Sequence, residues 1–307
     1  MDRRLDAPPK LPTLYAAALA RQARNALRRP SPADPLPTER HRVDNVTATQ
    51  EKLDAFQRLM GRPRAEFLPS GYLHTLAFPV AVSVLARPDF PLPLLGMIHL
   101  SNDIHHLRPI SLSERLSVTA WVENLLPHHS GAQVDVLVDI KTDSESVWRG
   151  RSTYLAKGVK ANGPAGTAVP SAGERRTEQL PEFHTRQWAL ASDIGRRYAS
   201  VSGDYNPIHL SGISARASGM KRPIAHGMYL ASRMAAEMGP GDATPFRWTV
   251  EFRAPVTLPS RVFLSAGMDR SVTAQWQGAE VTAWDPRRRR KHFSGRMERL
   301  GDSAGEE

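Results

Sequence analysis

Two stretches of this chain are apolar over a helical length, Tyr72 to Ala86 and His226 to Met238, and each precedes segments that alternate or are rich in β-branched residues. Leu116 to Asn124, Gln133 to Thr142 and Val147 to Lys157 follow the first stretch. Trp248 to Phe252, Val262 to Asp269, Val272 to Gln277 and Glu280 to Trp284 follow the second. One helix and then a run of strands, twice over, predicts an α+β protein built from two similar halves. The repeat is visible at two anchors. Asp54 to Gly61 lies against Arg196 to Gly203, and Arg108 to Val118 against Arg253 to Phe263, at offsets of 142 and 145 residues.

These patterns predict a basic N-terminal helix and Pro-rich spacer over residues 1–37, a first half over 38–160, a Gly/Pro/Ala linker over 161–179, a second half over 180–300 and a tail over 301–307. The basic helix is read over Leu14 to Arg29. Packing on the core, lying on a membrane surface and presenting arginines to an acidic partner all remain open for it. A chain of 307 residues suits two domains. With no cysteine it has no disulfide, thiolate nucleophile or thiolate metal site, which sits easily with a reducing cytoplasm. No run approaches the 18 or so apolar residues that a membrane span needs, so none is expected.

Candidate chemistry concentrates in one segment, Tyr198 to His209, followed by Pro223 to Met228. Asp204 and His209 stand five apart with Asn206-Pro207 between them, which favours a bent loop over a continuing helix and lets both side chains converge on one water. Asp204 can orient or deprotonate that water, and His209 can accept and return its proton. The run Arg222 to Leu230 reads as a helix start, where Gly227 can offer a backbone N–H to a developing oxyanion. Asn206 is a candidate substrate-binding residue that could contact the dyad or fix the loop through an Asx-type bond. His226 is read as a locally bonded residue at the helix start. A calcium loop fails at Ile208, where an oxygen ligand would be required.

The pattern Y-A-x-x-S-G-D-x-N-P-I-H, with a Gly after I-A-H 23 residues past the Asp, resembles the MaoC-like hydratase family. The resemblance makes Asp204 and His209 the catalytic pair and Gly227 the oxyanion donor. It implies reversible syn hydration of trans-2-enoyl-CoA or enoyl-ACP to the (R)-3-hydroxyacyl thioester, without a cofactor. Each half would be a hot-dog domain, an antiparallel sheet wrapped around a central helix, and the two would pair as a double hot dog, monomeric or homodimeric. Phe78-Pro79 and Gly96-Met97-Ile98-His99 in this layout resemble the mycobacterial-type (3R)-hydroxyacyl-thioester dehydratases. A hot-dog thioesterase and a non-catalytic acyl-thioester binder remain as alternatives, although a binder would be expected to carry a broken dyad.

Where the second half has its dyad the first has Gly61-Arg62-Pro63-Arg64-Ala65-Glu66-Phe67, so one active site per chain is expected, with the first half as pocket wall. Its helix, carrying Leu73, Leu76, Phe78, Val80, Val82, Val84 and Leu85, either flanks an acyl tunnel or is simply core. His99, His105, His106, His128 and His129 lack the spacing and acidic partners of a metal site, and their segment reads as a loop entering a strand pair. The net charge is +10, and Arg287 to Lys291 falls between two strands. That run suits coenzyme A phosphates or an acidic acyl carrier protein, or is a solvated hairpin loop. Nucleic acid fits poorly, because neither a motif nor interleaved aromatics accompany the basic run.

Overall fold

A computed structural model describes residues 2–25, 35–143, 145–161, 180–217, 220–272 and 274–301. Eleven strands form one sheet: β1 (Asp2–Leu5), β2 (Arg40–Val46), β3 (Ile98–His106), β4 (Leu116–His128), β5 (Gly131–Thr142), β6 (Glu145–Lys157), β7 (Arg186–Leu190), β8 (Phe246–Phe252), β9 (Ser260–Arg270), β10 (Trp276–Asp285) and β11 (Arg290–Arg299). Their order is β1-β2-β4-β5-β6-β3-β8-β11-β10-β9-β7, antiparallel throughout except where β1 runs parallel to β2. Within the sheet the two halves join where β3 pairs with β8, from Ser101 opposite Glu251 to His106 opposite Phe246. The helices are α1 (Leu11–Asn25), α2 (Gln50–Met60), α3 (Ser70–Leu85), α4 (Ile194–Ser202), α5 (Gly212–Ala217) and α6 (Gly227–Met238). In this double hot dog α3 packs on β2, β4, β5 and β6, α6 packs on β8 and β11, and the two helices touch each other.

The expected central helices are therefore present, and their burial explains their composition. Nearly every residue of α3 is buried, from Tyr72 and Leu73 to Val84 and Leu85, so this helix is apolar on all faces rather than along one stripe. Polar clamps complete the seam. The Ser70 hydroxyl accepts from Trp148 Nε1 at 3.0 Å and from Trp248 Nε1 at 2.9 Å, one indole from each half. Arg247 on β8 holds both carboxylate oxygens of Asp103 on β3 at 2.9 Å.

Two expectations about strands need correction. The segment from His99 to His106 is a strand, bonded on both sides, rather than a loop. Its buried positions are Asn102, Ile104 and His106, so the inward face is mostly polar in sequence and hides the period of two. Val272 to Gln277 is not a strand in its first part. Ser271 N–H donates to Gln275 O at 2.8 Å and closes the β9–β10 turn, and Val272 is fully exposed there despite its β-branched side chain. The N-terminal helix begins at Leu11, earlier than Leu14. Ala26 to Arg29, Pro30 to Asp34 of the spacer, residues 162–179 of the linker and 302–307 of the tail lie outside the described residues.

The repeat anchors coincide in structure. Both α2 and α4 end on a left-handed glycine, Gly61 at φ 71° and Gly203 at φ 75°, a conformation that glycine adopts without Cβ strain. The halves diverge just afterwards: residues 62–69 connect Gly61 to α3, whereas residues 204–226 connect Gly203 to α6. The longer connection is the one that carries Asp204 and His209.

Candidate active site

Local bonding shapes the start of this connection. Beyond Gly203, the Asp204 N–H donates to Ser202 Oγ at 3.2 Å and the Asn206 N–H to Asp204 Oδ1 at 3.2 Å. Asn206 Oδ1 accepts from Ile208 N–H at 3.4 Å and caps a 3-10 turn, Pro207–His209, with proline in its first turn. Asn206 therefore makes the Asx-type bond. The turn carries His209 into the interior, where it is buried. Gly195 on α4 makes the close approach possible, since a Cβ there would stand 2.0 Å from His209 O.

The His209 ring has a defined tautomer. Its Nδ1 lies 2.8 Å from Ile224 O, and a carbonyl only accepts, so Nδ1 carries the proton and Nε2 presents a lone pair. Burial holds its pKa below the ordinary value against the opposing pull of Asp204, which keeps the ring neutral, with its Nε2 lone pair free, at neutral pH. His226 lies on it face to face. His226 Nε2–H donates to the main-chain oxygen of Asp204 at 3.0 Å, and burial with the neighbouring His209 pushes its pKa down to about 3. This residue, expected to bond locally, clamps the loop that bears the acid.

Asp204, His209 and His226 each place a ligand-type atom within 4.8 Å of one another, the group of such side chains among the described residues that could close on a cation. The same spacing suits a water shared by a carboxylate and an imidazole. Gly227 opens α6 with His226 as its N-cap. The first intrahelical bonds are those of Tyr229 and Leu230 N–H to His226 O, so the Gly227 N–H precedes them at the positive end of the helix. The Phe252 ring covers this glycine, with its nearest atom 3.0 Å from where a Cβ would stand.

The first half closes the site. The charge of Asp204 is felt at Tyr154 on β6 and at His74 on α3, and His99 on β3 stacks on Tyr154 at 4.6 Å and against Phe252 at 5.1 Å. Burial drives His74 to about 4 and His99 to about 3, so both are neutral wall residues. Beside His74 and Tyr154 a cavity runs between α3 and β5–β6, lined by Ala77, Phe78, Ala81, Val82, Leu85 and Val138 among others. Thus Phe78, Val82 and Leu85 of the suspected tunnel helix face a cavity, while Leu73, Val80 and Val84 are buried in the core. Of the remaining histidines His106 packs on Phe246, and His128 and His129 pack on each other. Arg287 to Arg289 are exposed in the β10–β11 turn, with Arg287 and Arg288 N–H held by Asp285.

One group at the site had no counterpart in the sequence expectations: the Tyr15 hydroxyl of α1 donates to Asp204 Oδ1 at 2.8 Å. Its signal was the inward face of an amphipathic helix, on which Leu11, Tyr15 and Ala18 share the i, i+4, i+7 spacing.

Comparison with known proteins places the chain among acyl-thioester dehydratases and hydratases. The family described as MaoC like domain matches residues 174–283. A 3-hydroxyacyl-thioester dehydratase X of Mycobacterium tuberculosis is 30% identical over 244 residues, 77% of this chain and 85% of that one. An (R)-specific enoyl-CoA hydratase of Aeromonas caviae is 35% identical over 69 residues, 21% of this chain and 52% of its own. The crystal structure of HtdX of Mycobacterium tuberculosis superposes with a TM-score of 0.70 at 25% identity, covering 85% of this chain and 100% of that one.

Proposed function

Because the chain belongs to the MaoC-like dehydratase family, we propose that Asp204, His209 and Gly227 carry its chemistry, the reversible hydration of 2-enoyl thioesters to (R)-3-hydroxyacyl thioesters. The enzyme is a lyase of acyl thioesters. The observation that carries the assignment of residues is the convergence of the Asp204 carboxylate and the His209 imidazole within 4.8 Å, on a loop that the first half lacks.

In hydration the substrate carbonyl accepts from the Gly227 N–H, which withdraws charge from the double bond and prepares C3 for attack. Water held between Asp204 and His209 Nε2 adds its oxygen to C3 and gives its proton to Nε2. His209 then returns that proton to C2 as the enolate collapses, so no net charge is left on the protein and the addition is syn. Dehydration runs through the same groups in reverse. No step calls on a cofactor.

The cavity between α3 and β5–β6 takes the acyl chain. We place the enzyme in the cytoplasm, with coenzyme A or an acidic acyl carrier protein as thiol carrier. The cysteine-free composition and the name of the Aeromonas relative support this reading, and among the described residues no helix is long and apolar enough to cross a membrane.

The deciding experiment follows the conjugated enoyl-thioester absorbance with crotonyl-CoA and longer trans-2-enoyl-CoA substrates, beside a free-thiol assay. Loss of the band without thiol release is expected of the wild-type chain. Asp204→Asn and His209→Ala should each slow it by roughly 10²- to 10⁴-fold. Thiol release would move the assignment to a thioesterase, and wild-type rates in both variants would reject the dyad.

A further inference from the structure

The N-terminal helix α1 lies outside the segment matched by the family, residues 174–283, yet it is fastened over the loop that carries the proposed acid. At its first turn Leu11 is buried, and its Cδ1 lies 3.5 Å from where a Cβ of Gly203 would stand, next to Asp204. Near its other end the Arg21 guanidinium donates to the carbonyls of Arg87 and Leu92, just beyond α3. Ala18 is buried between these two attachments. Tyr15 sits on the same face and reaches Asp204 Oδ1 at 2.8 Å.

We infer that Tyr15 is a positioning residue for the acid/base pair, its hydroxyl fixing one oxygen of Asp204 so that the other is presented to the water shared with His209. Each polar atom of Asp204 is accounted for separately. Its N–H is tied to Ser202 Oγ and its main-chain oxygen to His226 Nε2. Oδ1 accepts twice, from Tyr15 and from the Asn206 N–H. Oδ2 lies 3.8 Å from His226 Nε2, beyond hydrogen-bond reach of it, and is the oxygen left to a guest. The Asn206 bond comes from the loop itself and turns with it, whereas the Tyr15 bond comes from a separate element and sets the carboxylate against an outside reference. Burial and the adjacent carboxylate push the Tyr15 phenol far above its ordinary pKa, so it remains a donor and does not compete as a base. Catalytic groups need supporting contacts to hold them within about half an ångström of a productive geometry, and α1 supplies one here.

The test rests on the hydratase reading and separates its failure from that of the reading. The full-length chain is compared with Tyr15→Phe, which keeps the ring and removes the hydroxyl, by crotonyl-CoA hydration and by thermal unfolding. A hydrogen bond to a charged group predicts a fall in kcat of about 10- to 100-fold, with KM within about twofold and the chain still fully folded at the assay temperature. In Tyr15→Ala, added phenol should restore part of the rate and toluene should not, because the hydroxyl and not the ring is what Asp204 uses. An active wild type with an equally active Tyr15→Phe overturns the inference and leaves the hydratase reading intact. A rate loss that tracks a lowered unfolding midpoint, with no phenol rescue, also overturns it, in favour of a packing role. If wild type is inert on every enoyl thioester the hydratase reading falls, and the contact is then judged by the carboxyl carbon resonance of Asp204, assigned through Asp204→Asn. A shift of that resonance in Tyr15→Phe supports the contact, and an unchanged one overturns it.

Discussion

His209 and His226 lie ring on ring, their centroids 3.6 Å apart and their planes 24° from parallel. Two imidazolium cations would repel strongly at that distance, and burial together with this proximity keeps His226 neutral down to about pH 3. Each ring gives its one proton to a backbone carbonyl, His209 to Ile224 and His226 to Asp204. The pair therefore combines a base with a clamp: His209 keeps a lone pair for water while His226 fixes the main chain of the acid.

His226→Phe preserves the aromatic face and removes the donor to Asp204. One neutral hydrogen bond is worth about 1 kcal/mol, so kcat should fall roughly fivefold, with KM nearly constant and His209 still buried. Steady-state kinetics on a 2-enoyl thioester checks this, and an unchanged kcat would remove the clamp from the account.

Stability should fall as the solution is acidified from about pH 6.5 toward 4. His74 and His106 are depressed to about 4, and His99 and His226 to about 3, in each case chiefly by burial. The unfolded chain takes up these protons near pH 6.5 while the folded chain refuses them, so stability is present above that pH and lost below it. Asp242 runs the other way, since burial raises it to about 6 and the folded chain gains its proton first. The net uptake on unfolding is then about three protons near pH 5, each worth roughly 1.4 kcal/mol per pH unit at most. Urea unfolding midpoints between pH 7 and 4.5 should drop steeply, and a flat profile would contradict the burial of these histidines.

Much of this was readable beforehand, for identifiable reasons. The bent loop that brings Asp204 near His209, and the helix start at Gly227, were legible because their chemistry is local: a left-handed Gly203, an Asx bond from Asn206 and a proline turn are set by neighbouring residues. The α3 and α6 helices were legible from apolar length. Strand β3 was not, because it is buried by another strand on each side and can therefore place Asn102 and His106 inward, which breaks the alternation. Tyr15 was not legible as a site residue because its partner is 189 residues away, and only the packing of α1 on the core brings the two together.

Ser70→Ala should destabilise the chain far more than its size suggests. The hydroxyl is the shared acceptor for Trp148 and Trp248, which are almost wholly buried. Removing it leaves two indole N–H groups without their acceptor at the junction of the halves, at about 1–3 kcal/mol for each unsatisfied donor. Chemical denaturation should show a loss of roughly 2–6 kcal/mol on the same scale, while a loss below about 0.5 kcal/mol, the level of an ordinary surface change, would show that the seam does not depend on this serine.

The cavity beside α3 makes a prediction about chain length. Ala81 lines it together with Ala77, Val82 and Val138, between α3 and β5–β6. Ala81→Phe fills that space without touching Asp204, His209 or Gly227. If the acyl chain of the substrate lies there, a four-carbon enoyl thioester stops short of the obstruction and keeps its rate within a few-fold. A long enoyl thioester must give up the burial of several methylenes, each worth about 0.8 kcal/mol, so three displaced methylenes would lower kcat/KM by roughly 50-fold. The measurement is the ratio of kcat/KM for crotonyl-CoA to that for a ten- or twelve-carbon 2-enoyl-CoA, in wild type and variant. A ratio that the substitution leaves unchanged would place the acyl chain elsewhere and make the small residues of α3 a matter of packing alone.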